Sequence, residues 1–127
     1  MDSVIRTTPK VINRRRDHLM MMNFDHLSVL IQDLKLNAFI EQDDEGGYIA
    51  SFAEIDDLIA TGATEAGVLE NLVKELIEYS YEYLQEQFTL YFNSPNRRKH
   101  FPYVIKVMMH NTPLTIMEFI NVQHKGS

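Results

Sequence analysis

The period of apolar and polar positions changes several times along the chain. From Leu36 to Gln42 it is two: Leu36, Ala38 and Ile40 on one side, Asn37, Phe39 and Glu41 on the other. Tyr48 to Phe52 alternates again, and Asp43-Asp44-Glu45-Gly46-Gly47 between them is a turn whose glycines are free to take positive φ. This predicts a β-hairpin. Leu58-Ile59-Ala60-Thr61 makes a short third strand, which Gly62 breaks. Thr64 is the expected N-cap of a long helix. Glu65 suits the positive end of its dipole, but residue 67 is glycine, so the reciprocal half of a capping box is missing. The helix carries Val68, Leu69, Leu72, Val73, Leu76, Ile77, Ser80, Leu84, Phe88 and Tyr91 on its apolar side and is expected to end before Asn93-Ser94-Pro95. Ser80 is the weak point of that stripe. Tyr79 and Tyr83, one turn apart, suit either an interaction surface or the rim of the core.

On the N-terminal side, Phe24, Leu27, Leu30, Ile31 and Leu34 predict a short amphipathic helix capped by Asn23. Its apolar stripe suits packing on the domain or a dimer contact. Residues 1–19 show no clean period and read as a flexible basic arm, with Arg14-Arg15-Arg16 either a solvated tail or a phosphate-contacting run. Met20, Met21 and Met22 offer alternative starts. On the C-terminal side, Phe101 to Met109 fits a buried helix better, although Tyr103, Ile105 and Val107 also alternate as in a strand. Thr112 and Pro113 mark the start of a last helix, with Leu114, Met117, Ile120 and Phe119 expected to face inward, and residues 123–127 are expected to fray. The expected fold is therefore α+β: a small antiparallel three-stranded sheet covered by a long helix, with an N-terminal helix and a C-terminal helical pair. The expected divisions are an arm at 1–19, a core at 20–93, a C-terminal helical segment at 94–122 and a tail at 123–127.

Charge adds an asymmetry that periodicity does not show. The net charge is −6. Residues 1–19 hold five basic side chains against Asp2 and Asp17, net +3; residues 20–87 hold fifteen acids against Lys35 and Lys74, net −13; the remainder is +4. An acidic middle suits a basic partner and disfavours nucleic acid there. The basic run Arg97, Arg98 and Lys99, with Lys106, permits a helix-turn-helix reading of the C-terminal helices, with these four as phosphate contacts; a helical hairpin that closes the core or a dimer is the favoured alternative.

Candidate chemistry is sparse. The chain has no cysteine, so it has no disulfide framework and no thiolate site. No phosphate loop, dinucleotide-binding glycine turn or GxSxG elbow is present. The five histidines are scattered without partners at ligand spacing and read as surface or boundary residues. Asp43, Asp44 and Glu45 invite a metal hypothesis, but neighbouring strand-end side chains diverge, and a charged hairpin tip is the better reading. No cofactor is implied, and an enzyme is the less favoured class. The alternative is a ligand- or metal-binding domain, or an enzyme, using Asp43, Asp44, Asp56 and Asp57 at a cleft. No apolar run reaches the roughly 18 residues of a membrane span, and a cytoplasmic location is expected.

One stretch carries a resemblance. Gly46-Gly47-Tyr48-Ile49-Ala50-Ser51, then Ala60-Thr61-Gly62-Ala63-Thr64, then Ala66 and Leu69-Glu70-Asn71-Leu72 resemble the HicB-like antitoxins. The likeness covers about residues 36–79, and the helix before the hairpin looks more like antitoxins of RelB type. Asp56-Asp57-Leu58 stands where family members often carry a Pro-Gly-Cys-like step, and the C-terminal segment does not match the family's usual DNA-binding tails. The resemblance implies an antitoxin of a type II toxin–antitoxin pair. Such a protein blocks a small basic RNA-cleaving toxin of HicA or RelE type, often as a homodimer that represses its own operon. Candidate toxin contacts are Asp43, Asp44, Glu45 and Tyr48 on the hairpin and Glu78, Tyr79, Glu82 and Tyr83 on the helix; candidate operator contacts are Arg97, Arg98, Lys99 and Lys106.

Overall fold

The computed structural model describes residues 8–14, 17–110 and 112–124. It divides into two compact units, Met1–Asp33 and Leu34–Ser127. In the first, β1 (Lys10–Arg14) pairs antiparallel with β2 (Asp17–Met21), in the register Lys10 opposite Met21 and Arg14 opposite Asp17. Arg15 and Arg16 of the basic run lie outside the described residues. Helix α1 (Phe24–Ile31) follows, with Asn23 Oδ1 accepting from the His26 amide at 2.9 Å as the N-cap. None of its residues is buried, and Phe24 and Leu30 are about two-thirds exposed, so its apolar stripe is not a core face.

The second unit holds the core. Strands β3 (Leu36–Gln42) and β4 (Tyr48–Phe52) form the expected hairpin, closed by the Asp43 amide donating to the Gly47 carbonyl at 2.7 Å. Gly46 takes φ +98°, the left-handed conformation that the turn requires and that a side chain resists. Strand β5 (Ile59–Gly62) adds antiparallel to β4.

The sheet does not stop at three strands. The expected three-stranded antiparallel sheet is corrected to a four-stranded mixed sheet, in the order β5-β4-β3-β6, with a separate two-stranded sheet at β1-β2. The fourth strand, β6 (Ile120–His124), lies parallel to β3, with Leu36 opposite Ile120 and Ile40 opposite His124. The reason is local: the last helix ends three residues earlier than Ile120, the Leu36 amide donates to the Phe119 carbonyl at 2.9 Å, and Ile120 is buried as a strand residue beside Leu36. Antiparallel strands can be joined by a tight turn, whereas a parallel pair needs a long crossover, which here runs through β4, β5 and the whole of the helical region that follows.

Helix α2 (Glu65–Tyr81) covers the sheet. Thr64 caps it through Oγ1, which accepts from the Gly67 amide at 2.9 Å. Val68, Leu72, Val73 and Leu76 meet Leu36, Ala38, Ile40, Ala50, Phe52 and Ala60 in one buried cluster. At Tyr81 the expected continuous helix gives way to a π-helical turn (Glu82–Glu86), which inserts extra backbone and redirects the chain into α3 (Phe88–Phe92) and α4 (Pro95–Arg98). Phe101 to His110 is helical, α5, with Val104 and Val107 in the core. Helix α6 (Pro113–Met117) completes the crossover, capped by Thr112 with Pro113 at its first position.

Candidate functional site

The acidic hairpin tip points its charge at solvent. Asp44 and Glu45 are exposed; Asp43 and Tyr48 are half-buried. Tyr48 lies opposite Gly62 in β5 and packs, half-buried, against the core. Among the described residues, no three histidine, aspartate or glutamate side chains converge as a metal site. Likewise, among the described residues, no helix is long and apolar enough to cross a membrane.

The second acidic group lies at the other end of α2. Glu78 is exposed and Glu82 half-buried. The hairpin tip adjoins the start of α2, because Tyr48 pairs with Gly62 just before the Thr64 cap. Glu78 and Glu82 lie thirteen and seventeen residues past Glu65, so at 1.5 Å per residue the two acidic groups stand roughly 20–25 Å apart. They are two separate patches, not one.

Tyr79 and Tyr83 face away from both patches, into the core, at 7% and 0% exposure. Each phenol is held there. Tyr79 Oη and His100 Nδ1 are 2.7 Å apart, and Tyr83 Oη donates to the Arg97 carbonyl at 2.8 Å. Tyr91 stacks against Tyr79 with ring centres 6.0 Å apart, and Tyr83, Phe88, Phe92 and Phe101 continue the aromatic packing. The Arg97 guanidinium lies 4.0 Å from the centre of the Tyr91 ring and donates from Nε to Asp57 at 2.8 Å. These contacts fasten the loop between β4 and β5 to the helices after the π turn.

His100 sits at the centre of that junction. It is fully buried, and its Nε2 has no hydrogen-bond partner, with Asp56 Oδ1 at 3.8 Å. Burial pushes its pKa below the ordinary histidine value and outweighs the opposing pull of Asp57 and Asp56; Lys99 and Arg97 add to the depression. Burial also pushes the Tyr79 phenol well above its usual range. The sequence reading placed His100 at a boundary. Its burial is a product of tertiary contacts, since Tyr79, Asp56 and Asp57 all come from other elements.

The four basic candidates separate into two kinds. Arg98 and Lys99 are exposed, Arg98 with its guanidinium 4.6 Å from the Phe92 ring centre. Arg97 is committed to Asp57 and Tyr91. Lys106 is 5% exposed: Nζ donates to the Leu34 carbonyl at 2.7 Å and stands 4.9 Å from the Phe119 ring centre. A buried ammonium so held pins the entry of β3 to α5 and offers little charge to solvent.

Two residues of the resemblance motif have structural roles. A Cβ on Gly62 would stand 2.7 Å from the Val68 amide nitrogen and 2.9 Å from its Cα, so only glycine lets β5 run this close to the first turn of α2. Asn71 Nδ2 donates to the Thr61 carbonyl at 2.8 Å and occupies an acceptor on β5, a strand at the edge of the sheet.

Comparison with known proteins gives the class. The family model described as PHD_like, antitoxin of toxin-antitoxin, RelE / RelB, TA system, matches residues 1–122, and the chain belongs to that antitoxin family. A solved structure from Syntrophomonas wolfei subsp. wolfei, described as an antitoxin part of a candidate toxin/antitoxin system, is 31% identical. The match covers 94% of this chain and 84% of that one, with a TM-score of 0.82. No curated protein matches the chain. The expected antitoxin class thus holds, and it is a regulatory class whose members have a toxin as partner.

Proposed function

We propose that this antitoxin neutralises a small, basic, RNA-cleaving toxin of HicA or RelE type by covering its RNA-binding face. The observation that carries the reading is the pair of acidic patches, Asp44 with Glu45 and Glu78 with Glu82, within a segment of net charge −13. A ribonuclease surface that binds RNA is positive, and complementary potential speeds encounter and fixes orientation. Neutralisation by occupation needs no catalytic residue. We assign the toxin contacts to Asp43, Asp44, Glu45 and Tyr48 and to the exposed edge of Glu78 and Glu82, with Tyr79 and Tyr83 supporting that edge from beneath. The active species is a homodimer in the cytoplasm, and it represses its own operon through Arg98 and Lys99, the two exposed members of the basic group.

The test is co-expression with the product of the adjacent reading frame. A small basic protein co-purifies, and its RNA cleavage stops at equimolar antitoxin. The complex weakens as salt rises, because much of its association is electrostatic. A complex absent at low salt, or RNA cleavage undiminished in the mixture, overturns the reading.

A further inference from the structure

Where the π-helical turn passes into α3, the second unit carries an open cleft of about 760 Å³ that includes none of the assigned toxin contacts. Gln85, Gln87, Asn93 and Ser94 line it around Phe88 and Leu90, and Glu86 is its one charged lining residue. Phe88 is fixed but not covered. Its ring lies nearly parallel to that of Phe92, 15° apart with centres 5.2 Å apart, and meets Phe101 and Tyr83 steeply at 5.8 and 6.2 Å. Even so, the residue is 39% exposed. The side chains of Gln85 and Gln87 are exposed and make no hydrogen bond to any described residue, so both amides are open to donate and to accept. Arg98 lies against Phe92, its guanidinium 4.6 Å from that ring's centre. These contacts place a positive charge within about 10 Å of Phe88, roughly three nucleotide steps of about 3.4 Å along a strand.

A rigid aromatic surface, uncharged amides beside it and a cation a few steps away are together what holds an unpaired nucleobase. The ring takes the base by stacking, the amides meet its hydrogen-bonding edge, and the cation takes a phosphate. Other occupants fit less well. A duplex keeps its base faces stacked on one another, a basic peptide finds only Glu86, and an apolar ligand would cover amides it cannot bond. We propose that this cleft binds single-stranded nucleic acid, with one base stacked on Phe88, its edge bonded by the Gln85 and Gln87 amides, and the strand running toward Arg98 and Lys99. The net charge of +4 from residue 88 onward attracts such a strand. Because Phe88 is already held by three rings, little conformational entropy is lost when a base docks on it. The site goes beyond the neutralisation and operator contacts proposed above, since it takes an open strand and depends on Phe88, which neither of those uses.

The experiment titrates the full chain into a labelled oligouridylate of about ten nucleotides at low salt and reads fluorescence anisotropy. The matching oligothymidylate and a duplex of equal length and unrelated sequence run alongside. Wild type binds both single strands more tightly than the duplex, and either order between the two strands supports the proposal, because stacking is open to each. Phe88→Leu keeps the apolar bulk but removes the ring, and affinity falls at least about fivefold, the worth of one stacked base. Gln85→Ala with Gln87→Ala, both at exposed positions, keeps the circular dichroism spectrum and melting temperature and weakens binding by about threefold. That variant decides the matter if Phe88→Leu disturbs the fold. Arg98→Ala lowers the salt dependence of binding by about one phosphate contact. Four results overturn the proposal: no binding of either strand at millimolar protein, a duplex held as tightly as the single strands, a folded Phe88→Leu with wild-type affinity, or an unchanged glutamine variant. None of these readouts involves toxin, so the outcome is independent of the proposed neutralisation.

Discussion

Tyr79 and His100, brought together from α2 and from the start of α5, share a 2.7 Å contact between Oη and Nδ1 in the interior. Tyr79 otherwise packs against the rings of Tyr83 and Tyr91, and both residues are buried, so neither polar group is open to bulk water. Tyr79→Phe removes the hydroxyl and leaves His100 with both ring nitrogens unpartnered. An unsatisfied buried polar group costs about 1–3 kcal/mol, and the variant is expected to unfold at correspondingly lower urea, read as a shift in the denaturation midpoint at unchanged slope. A midpoint equal to wild type would show that the contact contributes nothing net.

The same histidine predicts a pH dependence. Burial lowers its folded-state pKa below the unfolded value of about 6.5, so below that pH the unfolded chain binds the extra proton more readily. Its contribution to stability is therefore intact above about pH 6.5 and is lost as pH falls from there toward the depressed folded value. The charged neighbours are Asp57 and Asp56, which oppose the depression, and Lys99 and Arg97, which favour it. Urea midpoints between pH 7.5 and 5 are expected to fall for wild type and to fall less for His100→Gln. Parallel curves would exclude His100 as the source.

Gly62→Ala tests the close approach of β5 to α2. The added methyl would meet Val68 backbone atoms, which cannot swing aside as a side-chain tip can. Overpacking of this kind costs about 1–3 kcal/mol, and the expected result is a melting temperature clearly below that of Thr64→Ala, whose lost cap is worth about 1 kcal/mol. The order of the two is the observable.

Charge reversal distinguishes the two acidic patches in toxin binding. Asp44→Lys with Glu45→Lys, and separately Glu78→Lys, leave folding intact because these side chains are exposed. The patch that contacts toxin is expected to lose at least about tenfold in association rate at low salt, with the difference shrinking at high salt. Stopped-flow or surface-based kinetics would read it, and unchanged rates for both variants would remove the acidic surface from recognition.

Arg98→Ala with Lys99→Ala is expected to abolish the shift of the chain's own promoter DNA and to leave the melting temperature alone. Lys106→Met is expected to do the reverse, lowering stability because the Leu34 carbonyl loses its donor while Lys106 presents little charge to a phosphate. Promoter binding that persists without Arg98 and Lys99 would sink that assignment.

How far the fold could be read depends on whether the signal was local. The β3–β4 hairpin was legible because strict alternation and a glycine turn are properties of neighbouring residues. The Thr64 cap and the Pro113 start were legible for the same reason. Strand β6 was not, because Ile120-Asn121-Val122-Gln123 alternates over only four residues and Ile120 also continues the helical spacing of Leu114 and Met117; what makes the segment a strand is the ladder offered by β3. The π turn was hidden because Leu84, Phe88 and Tyr91 keep plausible helical spacing across it. The candidate site divided along the same line. Asp44, Glu45 and Glu78 are exposed as their charge suggested, but the tyrosines turn inward to meet His100 and Arg97, partners that only the folded chain brings near. Lys106, basic in sequence, is structural in place.

The parallel β3–β6 pair also sets an order of events. The hairpin closes across a five-residue turn, but residue 36 must wait for residue 120, with the entire crossover between them. Loop-closure entropy for such a contact is met before the contact returns anything, so β6 is expected to dock after the hairpin. Until it docks, β3 is an edge strand and its Leu36 amide lacks the Phe119 carbonyl, whereas β4 can already pair with β5. Of the four strands, β6 is thus the one whose pairing depends on the longest stretch of chain, while the hairpin carrying the acidic tip depends on the shortest.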